Sequence, residues 1–235
     1  MTLRLQLDRD GGVVLIGVIN RRRLDWLSAL LALLPRDEAV RERDGAVYAS
    51  RNVLELCPAL IEAWRTERLT ELLGDVLGAE VGLVRGLYFD KPPQQTWALP
   101  WHKDLTIAVR KPIEAEGYSK PRLRAGVWHC EPPVEVLEAM LTLRIHLDDV
   151  TEENGPLQVL PGSHGTGKPL RIDDFQPQPV LVNAGDVFAM RPLLAHCSGR
   201  SREGTQRHRR VLHLEFAGMP KLPGGHEWHA FHPVT

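Results

Sequence analysis

The chain has 235 residues, with 29 Lys plus Arg against 30 Asp plus Glu and a formal net charge of -1. That length supports one domain with a sizeable core. The balanced charge excludes a global field that would draw the protein to nucleic acid or to an anionic membrane. The three cysteines, Cys57, Cys130 and Cys197, cannot all pair and match no zinc or redox spacing, so reduced thiols in a cytoplasmic protein are expected.

Residues 1–20 alternate in MTLRLQL, turn at Asp10-Gly11-Gly12 and then run apolar through 13–19. This predicts a hairpin or a strand leading into the core. Helices are predicted over 22–34 and 58–77. The first contains the longest apolar run, residues 24–34, which is too short to span a bilayer and carries Asp25. Arg21, Arg22 and Arg23 faintly resemble a twin-arginine signal, but Asp25, Trp26 and Pro35 favour an amphipathic helix. In the second, Leu60, Ile61, Trp64, Leu69, Leu72 and Leu73 form the apolar face, and Gly74 and Gly78 help to end it.

From residue 81 the pattern changes to short strands between Pro, Gly and Asn turns: 81–89, 104–109, 141–147, 157–161, 179–182, 186–190 and 211–216. Seven such runs predict a sandwich or barrel. The stretch 110–140 reads as an irregular insertion of the kind that forms lids and binding loops. The expected organisation is a single domain over 1–235. It has a helical part at about 1–80, a β core at about 81–217 and an irregular tail over 218–235.

Ten histidines are the most conspicuous chemical resource. A His-x-acid pair on a strand sends both side chains to one face. Three such pairs occur: His102 with Asp104, His146 with Asp148, and His213 with Glu215. The first stands at the start of an apolar run, a suitable place for ligands. In the second, Asp148 can simply cap a turn, and the third can form a polar stripe or a buried ion pair. His196, after the strand 186–190 and Pro192, is a candidate third ligand, because non-haem iron sites use two His and one carboxylate on one octahedral face.

Four stretches, in order and spacing, resemble the phytanoyl-CoA dioxygenase family of iron(II)/2-oxoglutarate oxygenases, and its small bacterial members in particular. They are Asp90-Lys91-Pro92-Pro93 with residues 100–105 (PWHKDL); residues 147–149 (LDD), 153–157 (ENGPL) and 160–164 (LPGSH); residues 185–187 (GDV) with 191–198 (RPLLAHCS); and residues 209–216 (RRVLHLEF). The match covers about 81–217 well and the N-terminal helices loosely. It implies a mainly β fold with flanking helices, a double-stranded β-helix (a jelly roll, cupin-like). It also implies iron(II) held by His102, Asp104 and His196, with 2-oxoglutarate and O2 as co-substrates. The carboxylate at 104 favours hydroxylation, with release of succinate and CO2, over halogenation.

Arg209 resembles the arginine that clamps the distal carboxylate of 2-oxoglutarate through two parallel charge-assisted hydrogen bonds. The family spacing also allows Arg207, but the strand pattern behind Arg209 fits without a break. Ser198 resembles a hydroxyl that contacts the same carboxylate, and Lys91 is a candidate to approach the co-substrate. Candidates for the substrate, a small metabolite, are Arg144 and Thr142 on the face they share with His146, His129 and Trp128 in the insertion, and Tyr48, Arg51 and Asn52. The basic cluster 200–210 reads as a solvated loop with one buried arginine, and His226, His229 and His232 as a surface cluster. Neither nucleic acid nor membrane is expected as a partner, and the chain is expected as a monomer or homodimer. Two other readings keep the same barrel: a non-redox ligand-binding protein, and a cupin-like zinc or manganese isomerase or hydrolase.

Overall fold

The structure is a computed structural model that describes residues 2–35, 40–43, 46–93 and 97–234. The N-terminal part holds α1 (Leu3–Asp10), β1 (Gly12–Leu15), α2 (Arg21–Ala32), β2 (Val40–Arg43), β3 (Ala46–Ser50), α3 (Val53–Leu56), α4 (Leu60–Ala63) and α5 (Glu67–Leu77). The β part begins with β4 (Gly82–Lys91), β5 (Leu99–His102), β6 (Ile107–Val109), β7 (Ser119–Arg124), β8 (Val127–Glu131), α6 (Val134–Glu138) and β9 (Met140–His146). It continues with β10 (Leu157–Val159), β11 (Gln178–Val180), β12 (Val187–Met190), β13 (His196–Ser198), β14 (Arg209–Ala217) and β15 (His232–Pro233).

One sheet runs β1-β12-β9-β14-β4-β3-β2, with β15 also pairing with β4. A second runs β11-β10-β13-β5, and a third β6-β8-β7. The register along β14 decides what each face of the large sheet carries. Leu212, Leu214 and Phe216 alternate with Val211, His213 and Glu215. The first set joins Leu141, Leu143 and Ile145 of β9 in a core covered by the helices through Leu27, Leu60, Leu69 and Leu73. Trp64 meets Phe216 edge to face at 4.8 Å. Each fully buried Leu or Phe contributes about 1.5–3 kcal/mol, so this layer anchors the sheet, while Thr142, Arg144, His146, His213 and Glu215 lie on its other face. The four-stranded sheet packs against that sheet through Leu157, Val159 and Val180, which meet Phe188 and Met190. The result is a mainly β jelly roll with flanking helices, as the family resemblance implies and within the sandwich or barrel class that the strand pattern predicts.

Three local expectations are corrected. Residues 3–10 form a helix rather than a strand. Thr2 accepts the Leu5 N–H at its start, and Gly11, at φ 77°, donates to Leu7 O at its end. Two caps outweigh a short alternation, which leaves Leu7 buried and Leu5 exposed. The predicted helix 58–77 is broken, because extended Thr66 starts α5 by accepting from Leu69 N. The insertion 110–140 is ordered structure: β7 and β8 form a hairpin that pairs with β6, and α6 follows.

The tail also returns to the body. Trp228 is buried, bridges to Val109 and donates to Met219 O at 2.8 Å. Among the described residues, no helix is long and apolar enough to cross a membrane.

Candidate active site

Antiparallel pairing of β5 with β13 sets His102 directly opposite His196, with ring centroids 4.2 Å apart. Asp104 lies just past β5, its backbone N–H held by Pro192 O at 2.9 Å. The three candidate ligand atoms of His102, Asp104 and His196 lie within 4.8 Å of one another. Among the described residues no other such group of His, Cys, Asp or Glu occurs.

The hydrogen bonds around the triad fix which lone pairs face inward. His102 Nδ1 is 2.7 Å from Pro100 O, and His196 Nδ1 is 2.9 Å from Leu194 O. A carbonyl only accepts, so each Nδ1 carries the proton, and each Nε2 keeps a lone pair for a metal. His196 is neutral, because burial, set against Asp104 and joined by His102, pushes its imidazole down to about 4. For Asp104, burial favours the neutral acid, but the imidazoles of His196, His213 and His102 together with Arg85 hold it down to about 2. Its Oδ2 is buried without a hydrogen-bond partner and lies 3.7 Å from His196 Nε2, too far for a hydrogen bond. Two imidazole lone pairs and an orphaned carboxylate oxygen facing one point are the donor set of a two-His, one-carboxylate metal site.

The residues expected at the co-substrate end are all buried nearby. Arg209 opens β14 opposite Lys91 of β4. Its Nε has no partner, and its guanidinium is pushed down to about 9 by burial and by Arg144. Ser198 Oγ is likewise buried and unpartnered. Lys91 is fully buried and donates to Gly199 O at 2.8 Å, with its ammonium 5.2 Å from the Trp97 ring centroid. Burial, aided by Arg209, pushes it down to about 7. By contrast, Arg207 is half-exposed and pairs with Glu153, and Arg210 grips Asp148 through two nitrogens. Of these three arginines, only Arg209 is buried.

The substrate candidates divide. Thr142 and Arg144 share the inner face of β9, both buried, with Thr142 Oγ1 and Arg144 Nε unpartnered. Both ring nitrogens of His146, on the same face, are also unpartnered. His129 is buried, with its Nδ1–H on Val127 O at 3.0 Å. It is pushed down to about 4 by burial, then by Arg85, with Arg51 and Arg124 adding to the effect. Trp128 alternates with His129 along β8 and packs instead into the cluster of Ile107, Cys130 and Trp228. The structure therefore does not bring these two together. Asn52, at φ 56°, ties α3 to the β7–β8 turn by donating to Ala125 O at 3.0 Å, a structural role. The side chain of Tyr48 lies outside the described residues.

His226 stacks on Tyr118 at 3.7 Å, while His229 contacts Glu55 at 2.6 Å. These two tail histidines are thus engaged with other partners.

Two features escape the sequence reading. Arg85 of β4 is buried and bonded through two nitrogens to Glu215. A cation inside the apolar run 81–89 is the signal that could have marked it. Lys103, between the two upstream ligands, donates to Ser163 O, Thr166 Oγ1 and Gly167 O, at 2.9, 2.9 and 2.6 Å. It straps the 163–167 turn to the strand that carries His102.

A family model described as phytanoyl-CoA dioxygenase matches residues 7–210. The chain is 30% identical over 175 residues to L-proline trans-4-hydroxylase of Streptomyces griseoviridis, covering 70% of this chain and 55% of that protein. It is 27% identical over 165 residues to ectoine dioxygenase of Bordetella parapertussis, covering 67% of this chain and 47% of that one. It thus spans about half the length of the curated relatives it matches. Among solved structures, it resembles EctD from S. alaskensis with bound Fe, with a TM-score of 0.70 and 19% identity over 92% of this chain and 76% of that one. AviO1 from Streptomyces viridochromogenes Tue57 gives a TM-score of 0.65 and 21% identity over 94% and 95%. At these identities the likeness is one of fold.

Proposed function

The chain belongs to the phytanoyl-CoA dioxygenase family, and from that premise we propose that it is an iron(II)- and 2-oxoglutarate-dependent dioxygenase. It hydroxylates a small metabolite, with release of succinate and CO2. The observation that carries this reading is the convergence of His102, Asp104 and His196, with both imidazole lone pairs and an unpartnered carboxylate oxygen at one point. These three residues hold the iron. Arg209 and Ser198 take the distal carboxylate of 2-oxoglutarate, and Lys91 lies beside them. When bound, iron supplies the oxygen chemistry that couples oxidative decarboxylation of 2-oxoglutarate to oxidation of the substrate.

The chain's own contribution is placement. The β5–β13 pairing holds the two imidazoles next to each other, their planes tilted by 54°. Their carbonyl partners hold the tautomers and orient the rings, as outer partners do in metal sites generally. Buried Arg209 offers a planar fork to a carboxylate, and unpartnered Ser198 offers a hydroxyl. The relatives named for proline and ectoine fit a small substrate in this family. The three cysteines are unpaired, which suits a reducing cytoplasm.

The test is anaerobic addition of iron(II) and 2-oxoglutarate to the purified protein, followed by visible absorption. A weak charge-transfer band is expected, together with slow succinate release once air is admitted. His102→Ala should lose both. Failure of the folded, iron-loaded protein to bind 2-oxoglutarate would overturn the reading.

A further inference from the structure

With the metal ligands and the co-substrate groups assigned, two buried cations in the barrel, Arg144 and Lys91, are left without a counter-charge, and of these the Lys91 ammonium is already held by Gly199 O. A divalent ion, the Asp104 carboxylate, the 2-oxoglutarate dianion and Arg209 are together neutral. Arg85 is neutralised by Glu215, to which it is bonded through two nitrogens. Arg144, only 6% exposed, has no such partner. Its Nη1 donates to His213 Nδ1 at 2.9 Å. A guanidinium only donates, so that nitrogen carries no proton, and His213 Nε2 instead faces Glu215 Oε1 at 3.3 Å.

Arg144 Nε is buried and unbonded, as is Thr142 Oγ1 one step along the same face. His146, on the other side, is no counter-ion: an imidazole is neutral or cationic, and burial, with Arg144 and Arg209, keeps this one neutral. Lys91 adds to the positive side, not the negative. A buried, uncompensated cation calls for an anion. The place is close to the chemistry: Arg144 acts electrostatically on both Asp104 and His196.

We propose that Arg144, braced by the His213–Glu215–Arg85 chain, binds a carboxylate of the primary substrate, so that the enzyme acts on small carboxylic acids. This rests on the function proposed above and adds the substrate class to it. A neutral amide or ester of the same shape would leave the guanidinium buried and unpaired, so discrimination against such analogues is built into the strand.

The test uses acetate as a minimal carboxylate probe with a methyl group and acetamide as its neutral counterpart, on protein loaded with Mn(II) and 2-oxoglutarate so that no turnover occurs. Binding is read from the paramagnetic relaxation of the probe's methyl protons, after the affinity for 2-oxoglutarate has been measured separately. Saturable binding of acetate but not of acetamide is expected. Arg144→Gln should weaken acetate by about tenfold or more while leaving 2-oxoglutarate affinity within about twofold. Retained 2-oxoglutarate binding also shows that the variant is folded; Arg144→Met, neutral and of similar length, is read the same way if it is not.

An equal loss of 2-oxoglutarate affinity would assign Arg144 to the co-substrate and overturn the proposal. So would acetate binding that is absent from the wild type or unchanged in the variant. Failure of the wild type to bind 2-oxoglutarate at all would instead bring down the function itself, and this inference with it.

Discussion

Glu215 stands between Arg85 and His213 on the inner face of β14, only 3% exposed. Its carboxylate is bonded to Arg85 through two nitrogens, and burial removes the water that would otherwise solvate that charge. Removing one partner of a buried pair typically costs about 3–5 kcal/mol, because the other charge is stranded. Glu215→Gln should therefore lower the unfolding free energy by about that amount in urea titration. A loss no larger than that of an exposed pair such as Arg21 with Asp25 would show that Arg85 finds another counter-charge.

His129 gives a second residue-level prediction. Its folded pKa is depressed to about 4, first by burial and then by Arg85. Below its ordinary value of about 6.5 the unfolded chain takes up a proton that the folded chain refuses. The stability tied to neutral His129 is thus fully present above about pH 6.5 and is lost as pH falls towards 4. In metal-free protein, the unfolding free energy of the wild type should fall more steeply than that of His129→Gln, by up to about 1.4 kcal/mol per pH unit. Urea titrations at a few pH values across that window check it, and parallel slopes would contradict it.

Among the elements, the turn that launches β12 meets the segment after β1 at Gly185. Gly185 has φ +91°, donates to His146 O at 2.8 Å and accepts from Ile19 N at 3.0 Å. A Cβ there would lie 2.4 Å from Ile19 O, a backbone atom that cannot rotate away. Gly185→Ala combines a left-handed conformation with that clash, so a loss of about 2 kcal/mol or more is expected, a Tm drop of roughly 4–8 °C. An unchanged thermal midpoint would mean that the turn relaxes freely.

The same element scale shows what the sequence reveals and what it hides. The alternation of β14 and β9 is legible, because one face is hydrocarbon and the other carries Arg, His and Glu. The spacing of His102 and Asp104 is legible too, and so is His196 as a partner. Their register is not: the pairing that sets His102 against His196 joins segments 94 positions apart, and no local pattern encodes it. Residues 3–10 look like a strand because capping energy at Thr2 and Gly11 is invisible to a count of alternating leucines. The β7–β8 hairpin is hidden by its exposed, basic first strand and by Lys120 and Ala125 at positive φ. Arg209 is distinguished from Arg207 by burial, which spacing alone does not give.

At the scale of the whole molecule, the largest hydrocarbon cluster lies on the helix-covered side of the large sheet, a smaller one joins the sheet's other face to the four-stranded sheet, and unsatisfied polar groups gather inside the barrel. Asp104 Oδ2, Ser198 Oγ, Arg144 Nε and Arg209 Nε are all buried without partners. Such groups weaken an empty protein and become favourable only when their ligands arrive, so the barrel trades stability for binding. Binding should accordingly appear as a stepwise rise in Tm. Mn(II) at about a hundred times its Kd contributes about 2.7 kcal/mol, or roughly 5–10 °C for a chain of this size, and 2-oxoglutarate should add a second step only after the metal.

Two variants separate the steps by opposite signs. His196→Ala should remove the metal step and the co-substrate step together. Arg209→Gln should keep the first and lose the second, and it should also raise the Tm of the ligand-free protein, because it deletes a charge that burial already pushes down to about 9. If ligand-free Arg209→Gln melts below the wild type, Arg209 is held by protein partners rather than waiting for an anion. The co-substrate would then have to be anchored elsewhere.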